Sequence, residues 1–433
     1  MLKILTQIWN TKPLRAKILF TLAALAIFRL VAHIPVPGAN IEGISQVMER
    51  NQLLGVFSML TGGGIERFSV VLMGISPYIT ASIVVQLLTV VIPKLEDLSK
   101  EGERGRATLN KYTRYLTIPL ALIQSYGMIV LLNRSLGANV SVLTDSSLSN
   151  LLFTMLVVTT GTLFLMWLGE IITEKGIGNG ISVLIFAGIV SGIPTILGPT
   201  LSLSTEDTSY LIPLIGIMIF TVLLTAIVVV VTEAQRQIPV TYAGHSFRSQ
   251  SKTMSHIPLR VNQAGMIPII FAVSIIALPG IIANFFQNAK TEWVKNFAVW
   301  LLNEFNQGGY LYMLLYFVLV VAFTFFYVNL TFNAEQVADN IQKRGGFIPG
   351  IRPGRQTAEY LSSVLNRITL LGSSFLGIVA VLPYIVQSVS STLQASVPML
   401  ISGAGLIIIV GVVLEIVRQI NAQLIMQDYD KLY

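Results

Sequence analysis

Long apolar runs separated by short polar breaks dominate the chain. Ten runs, near 18–35, 68–92, 116–132, 151–172, 181–197, 211–231, 266–285, 311–330, 368–386 and 397–417, predict ten helices. Each is close to the ~20 helical residues that cross a hydrocarbon core. The second run, FSVVLMGISPYITASIVVQLLTVVI, contains a Gly, a Pro, several hydroxyl side chains and an amide, yet no charge. Small and hydroxyl residues permit close helix packing. Gly74 and Pro77 free backbone groups, which in a bilayer must face protein or water, so this span lines an internal space. Ile75, Ile79 and Ile83 recur every fourth residue and share one helix face. Similar isoleucines stand at Ile181, Ile185, Ile270 and Ile408. They fit two readings: ordinary lipid-facing or core packing, or a ring of apolar side chains at a constriction that excludes ions by dewetting. Periodicity does not choose between them.

A repeat lies beneath this pattern. Gly74, Pro77 and Ile79 form G-x-x-P-x-I in the second span, and Gly265, Pro268 and Ile270 repeat it in the seventh. These are equivalent spans if the chain divides into 1–205 and 206–433. Five spans per half put the halves in opposite orientation, as in other duplicated membrane proteins. The larger polar insertions are 93–115, 232–261 and 331–367. RQIPVTYAGH and SHIPLRVN flank a polar tip and predict a hairpin. GGFIPGIRPG, residues 345–354, reads either as a linker or as a stiff loop presenting Arg352.

Composition and charge narrow the class. Hydrophobic residues make up 53% and charged residues 11%, against about 25% charged in soluble domains. The leader MLKILTQIWNTKPLRAK and the Pro-rich HIPVPGA after the first run predict a retained helix, not a cleaved signal peptide. With ten alternating spans, 22 of the 28 Lys and Arg fall on one side, five on the other, and Arg29 within the first span. That bias places both termini in the cytoplasm. It also accounts for the net charge of +7 without nucleic acid. There is no cysteine, and His33, His245 and His256 are scattered, so neither disulfides nor a metal cluster is expected.

Catalytic chemistry is sparse. Arg29, Glu170, Glu233 and Glu415 are the ionisable residues in or beside spans; each reads as a functional charge or as a local pair or snorkelling side chain, and the second is favoured. No phosphate-binding G-x-x-x-x-G-K-[ST] loop and no hydrolase motif occurs. GIGNG, residues 176–180, joins two spans without a preceding strand and predicts a tight turn. No cofactor is expected. A small-solute transporter and an intramembrane enzyme remain rivals: the first needs a polar midplane site, the second an indispensable ionisable pair.

The segments FRLVAHIPVPG, GGGIERFSVVLMGISPYITASIVVQLL, EGERGR, GTLFLMWLGEIITEKGIGNGISVLIFAGI, HIPLRVNQAGMIPIIFA and ADNIQKRGGFIPGIRPGRQTAEYL, in that order, resemble those of the SecY family of protein-translocation channels. The resemblance runs from about residue 15 to the tail. It implies an all-α polytopic membrane protein of the bacterial plasma membrane, with ten transmembrane helices in two inverted five-helix halves around a central hourglass pore. The implied function is passage of unfolded secretory polypeptides, with lateral release of transmembrane segments into lipid and no catalysis by the chain. It implies a pore ring of Ile75, Ile79, Ile185, Ile270 and Ile408, with Ile181 adjacent. A plug helix near 62–72 would include Gly62, Gly63, Gly64, Ile65, Glu66, Arg67 and Phe68; an ordinary re-entrant segment fits those residues too. Gln86, Gln124 and Asn262 would form a polar cluster at a lateral gate, or routine packing glue. Arg248, Lys252, Lys343, Arg344, Arg352 and Arg355 would face docking partners. The implied partners are SecE and SecG-like small subunits, the SecA ATPase motor, the ribosome and signal sequences, with a homodimer as a candidate assembly. The tip GHSFRSQSKTMS departs from the family: it carries only two cations, which leaves ribosome contact reduced or carried by the second loop.

Overall fold

The apolar runs form the helices they predict. The computed structural model describes residues 9–40, 44, 63–65, 67–136, 142–143, 147–206, 211–242, 255–286, 291–305, 309–392 and 402–430. In chain order its elements are α1 (Lys12–Ala32), α2 (Ser76–Val91), α3 (Pro93–Lys100), α4 (Glu103–Leu136), α5 (Leu148–Lys175), α6 (Gly180–Glu206), α7 (Leu211–Glu233), β1 (Gln235–Tyr242), β2 (Ser255–Arg260), α8 (Ile267–Phe286), α9 (Glu292–Glu304), α10 (Tyr310–Thr331), α11 (Ala334–Lys343), β3 (Gly346–Phe347), α12 (Arg355–Thr392) and α13 (Gly403–Asp430). Six of them, α4, α5, α7, α10, α12 and α13, meet the length and apolarity needed to cross a membrane, and the bent pair α2–α3 brings the number to seven. α1, α6 and α8 coincide with the other three runs. α3, α9 and α11 are the short helices between spans.

Alternating spans put chain connections on two faces. One carries a three-stranded sheet in the order β2-β1-β3, and is here called the sheet face. β1 and β2 pair antiparallel from Gln235 opposite Arg260 to Val240 opposite Ser255. β3 adds two residues, with Thr241 opposite Phe347. Ile238, Val240 and Leu259 from the hairpin pack on Ile341, Ile348, Leu361 and Val364. The predicted hairpin therefore exists, and one apolar core binds it to the 331–367 insertion. GGFIPGIRPG is a defined loop and not a linker. Gly345, Gly350 and Gly354 take φ of +67°, +83° and +94°, a region glycine enters without steric cost. Ile348 is buried, and the Thr357 hydroxyl donates to the Arg352 carbonyl at 2.9 Å.

The repeated motif has one local structure at both copies. Gly74 and Gly265 both have positive φ, +55° and +66°. α2 and α8 each begin two residues later, with Pro77 and Pro268 in the first turn, where a missing N–H costs nothing.

GIGNG is the tight turn expected of it. The Ile177 N–H donates to Thr21 Oγ1 at 3.1 Å, the Gly180 N–H to Thr173 Oγ1 at 2.8 Å, and the Gly178 N–H to Gln419 Oε1. Side chains from three helices thus take the N–H groups a phosphate would need. A Cβ on Gly180 would lie 1.9 Å from the Gly169 carbonyl oxygen and 2.8 Å from Ile172 Cβ. Gly180→Ala therefore forces α5 and α6 apart, at an overpacking cost of about 1–3 kcal/mol. Thermal unfolding of the purified protein is expected to shift down for Gly180→Ala. It is expected to stay level or rise slightly for Gly216→Ala, where a Cβ meets nothing within 4 Å.

Candidate functional site: an apolar constriction and its surroundings

Isoleucines from α2, α6, α8 and α13 converge. Ile185 and Ile408 are buried, and Ile79, Ile181 and Ile270 pack against them in one cluster with Val183, Ile189, Met266 and Val412. Ile408 is fully inaccessible. Ile75 lies one turn back from Ile79 and is buried in an adjoining cluster that shares Ile79 and Ile181. Residues up to about 330 positions apart in the chain are thus brought together, two helices from each side of the repeat. Met266 and Val412 were missed from sequence. Signals for both exist: Met266 follows the positive-φ glycine of the repeated motif, and Val412 is one turn on from Ile408.

The segment before α2 leads into this cluster. Gly62 and Glu66 lie outside the described residues. Of the others, Gly63, Gly64, Ile65, Arg67 and Phe68 belong to consecutive turns that continue to Ile75, not to a short helix. The physical cause is backbone geometry: Gly63, Phe68 and Gly74 have φ of +83°, +45° and +55°, which interrupts a right-handed helix. For Phe68 this is a strained conformation, costing about 1–2 kcal/mol. It persists because the ring is fully buried. Ile65, Phe68, Leu72 and Met73 pack on Met128, Ile129, Leu132 and Val158 of α4 and α5. Backbone bonds clip the segment on its other side: the Val36 N–H donates to the Phe68 carbonyl at 2.9 Å and the Val70 N–H to that of Ile34 at 3.0 Å. Gly161 of α5 lets a backbone approach, since a Cβ there would sit 2.1 Å from the Val70 carbonyl oxygen.

Asn262 is buried, Gln86 and Gln124 are half-buried, and all three amides are under-satisfied. Gln124 Nε2 donates to Thr80 Oγ1 at 3.3 Å, joining α4 to α2. Gln86 Nε2 donates to Ser82 Oγ at 3.3 Å within α2. The side-chain oxygens of Gln86, Gln124 and Asn262 have no hydrogen-bond partner among the described residues. α2, which carries Gln86, and α4, which carries Gln124, both pack on α8, and Asn262 lies just before α8 begins; this boundary is called the seam. Buried orphan acceptors cost about 1–3 kcal/mol each, so the seam is weaker than an apolar or fully bonded interface.

Charges beside the spans are locally engaged. Arg114 and Glu170 pair at 2.6 Å, tying α4 to α5. Arg418 and Glu233 pair at 2.5 Å, tying α13 to α7. Arg29 donates to Ser191 Oγ at 2.8 Å. Packing roles account for Arg29, Glu170 and Glu233 without a catalytic pair.

On the sheet face, Lys343, Arg344, Arg352 and Arg355 are exposed. Arg355 also pairs with Glu359 at 2.9 Å. Arg248 and Lys252 of the hairpin tip, with His245, lie outside the described residues. A polar cleft of about 1760 Å³ opens on the same face between α3 with the start of α4 and α11 with the start of α12. Glu96, Lys100, Arg106, Glu335, Asp339 and Arg355 line it. No group of His, Asp and Glu suited to a metal ion occurs among the described residues.

Comparisons with known proteins agree with this architecture. The family model described as SecY matches residues 69–417. A protein translocase subunit SecY of Streptomyces galbus is 42% identical over 444 residues, covering 99% of each chain. The same subunit of Staphylococcus aureus is 40% identical over 435 residues, again covering 99% of each. Among solved structures, one of a protein-conducting channel superposes with a TM-score of 0.66 at 17% identity, covering 94% of this chain and 92% of that one. Sec61 in a canine ribosome–channel complex gives 0.63 at 17%, with the same coverage. A fold shared at that identity and a sequence match along the whole length lead to one assignment: the chain belongs to the SecY family.

Proposed function

We propose that this chain is a passive protein-conducting channel that moves unfolded secretory polypeptides across the bacterial plasma membrane. In this reading Ile75, Ile79, Ile181, Ile185, Ile270 and Ile408 close the pore, and the turn segment up to residue 72 plugs it. Residues 1–205 and 206–433 act as two halves. The single observation that carries the reading is the convergence of isoleucines from four helices, two on each side of the repeat. An apolar girdle resists ions through dewetting, yet deforms around a passing chain. The sheet face is cytoplasmic, following the excess of Lys and Arg there. Lys343, Arg344, Arg352 and Arg355 are offered to a driving partner, the SecA motor or the ribosome, and SecE and SecG-like subunits complete the assembly. The under-bonded seam of Gln86, Gln124 and Asn262 is the lateral gate through which apolar segments leave for lipid.

The cysteine-free sequence makes the test direct. A precursor carrying one Cys is stalled during export through channels bearing Ile79→Cys or, as a lipid-facing control, Ile219→Cys on α7, where Ile219 is 58% exposed. A disulfide is expected at 79 and none at 219. If an engaged precursor is captured at none of 79, 185, 270 and 408, the isoleucines are packing only and the channel reading fails.

A further inference from the structure

Helix α9, between α8 and α10, has three distinct faces. Successive residues turn by about 100° around an α-helix. Trp293, Phe297 and Trp300 therefore fall in a sector of about 60°. They form a continuous stack: ring centroids are 6.1 Å apart for Trp293–Phe297 and 5.9 Å for Phe297–Trp300, with interplanar angles of 13° and 30°. The three are 75%, 50% and 50% exposed. A second sector, with Val294, Ala298, Leu301, Leu302 and Phe305, is turned toward the protein: Ala298 is buried and the other four are half-buried. α9 packs on α8 and more lightly on α10. Glu292, Lys295 and Asn296 make a third, largely polar sector, which also holds Val299, 37% exposed. Glu304 falls on the aromatic side, but in the last turn, from which its carboxylate reaches water.

Protein on one side, aromatic rings on the next and polar groups on the third is the requirement for lying along a membrane surface. The position agrees. α8 ends and α10 begins on the face opposite the sheet, so α9 sits where two spans leave the membrane. Tyr310, at the first turn of α10, is 86% exposed there, and Trp and Tyr concentrate at such boundaries. We propose that α9 is an interfacial anchor whose Trp293, Phe297 and Trp300 insert into the lipid headgroup region opposite the sheet face. One Lys against two Glu makes the attachment independent of anionic lipid. Because α9 rides on α8, it ties the far end of the helix that meets α2 and α4 to the lipid surface.

The proposal stands apart from the pore assignment and is tested apart from it. The chain has four tryptophans, so Trp9→Phe and Trp167→Phe leave Trp293 and Trp300 as reporters. Full-length protein is placed in nanodiscs of phosphatidylcholine brominated either high or low on the acyl chain. Strong quenching by the high position, weaker quenching by the low one and poor access for aqueous acrylamide are expected, unchanged when phosphatidylglycerol is added. Free access for acrylamide without bromine quenching would put the stack in water and overturn the anchor. So would silence to both quenchers, which would mean that protein covers the stack, and so would stronger quenching from the low position, which would make α9 re-entrant.

Discussion

Ile408→Asn is expected to unseal the resting channel. Ile408 is fully inaccessible and packs with Ile79, Ile181, Ile185 and Ile270. No hydrogen-bonding side chain is among those neighbours, so the new amide is left unpaired in the closed state. That costs about 1–3 kcal/mol. In an opened or occupied pore the amide meets water or a passing backbone, and the cost disappears. A difference of that size shifts the closed-to-open ratio by about 5–150-fold. Two measurements check it: ion conductance of the resting protein in a planar bilayer, and export of precursors with defective signal sequences. Both are expected to rise. Ile408→Val keeps an apolar side chain and is expected to change neither by much. If Ile408→Asn leaks no ions and exports no defective precursor, Ile408 is not part of the seal.

Gly161→Ala is expected to unseat the plug from the other side. The added Cβ would lie 2.1 Å from the Val70 carbonyl oxygen and 2.8 Å from its carbon, both backbone atoms. Neither neighbour yields by rotating a side chain, so one segment must move. α5 is a helix of 28 residues; the turns around Val70 are tied to residues 34–36 by two backbone bonds and already contain the strained Phe68. The turns are the softer element and move first. An overpacking cost of about 1–3 kcal/mol falls on the seated state. Resting conductance is expected to increase, while export of normal precursors continues. Gly198→Ala, with nothing within 4 Å of its Cβ, serves as the control. Unchanged conductance in an inserted, exporting Gly161→Ala channel would show that the turn segment up to residue 72 does not seal the pore.

The two variants strike features of unequal legibility. The apolar runs were readable because a lipid-spanning helix must satisfy its own backbone and present apolar side chains over a fixed length. Each of the ten contains a helix, although the second begins as turns up to Ile75. The GIGNG turn and the β1–β2 hairpin were readable for a similar reason: glycine geometry and alternating patterns are local. The plug was less so. The resemblance implied a helix there, yet Phe68 takes a left-handed conformation, buried against α4 and α5.

The family resemblance pointed to the amides at 86, 124 and 262, but not to what they bond. Among the described residues only Gln124 bonds to another helix, and the three amide oxygens stay unpaired. The rings of α9 drew no reading from the sequence; their division from a protein-facing sector needed the packing against α8.

Sequence alone determined the number and place of the spans, their orientation bias, the repeat at Gly74 and Gly265, and the lack of catalytic motifs. These depend on composition and on neighbours within a few residues, where the chemistry of one turn decides the outcome. Tertiary structure decided which isoleucines meet. Ile79, Ile185, Ile270 and Ile408 share no periodicity, and each looks like any other apolar residue in a membrane helix. Only the crossing of α2, α6, α8 and α13 gives them a common neighbour, because contact between distant helices is a property of how they pack and not of the residues beside them in the chain.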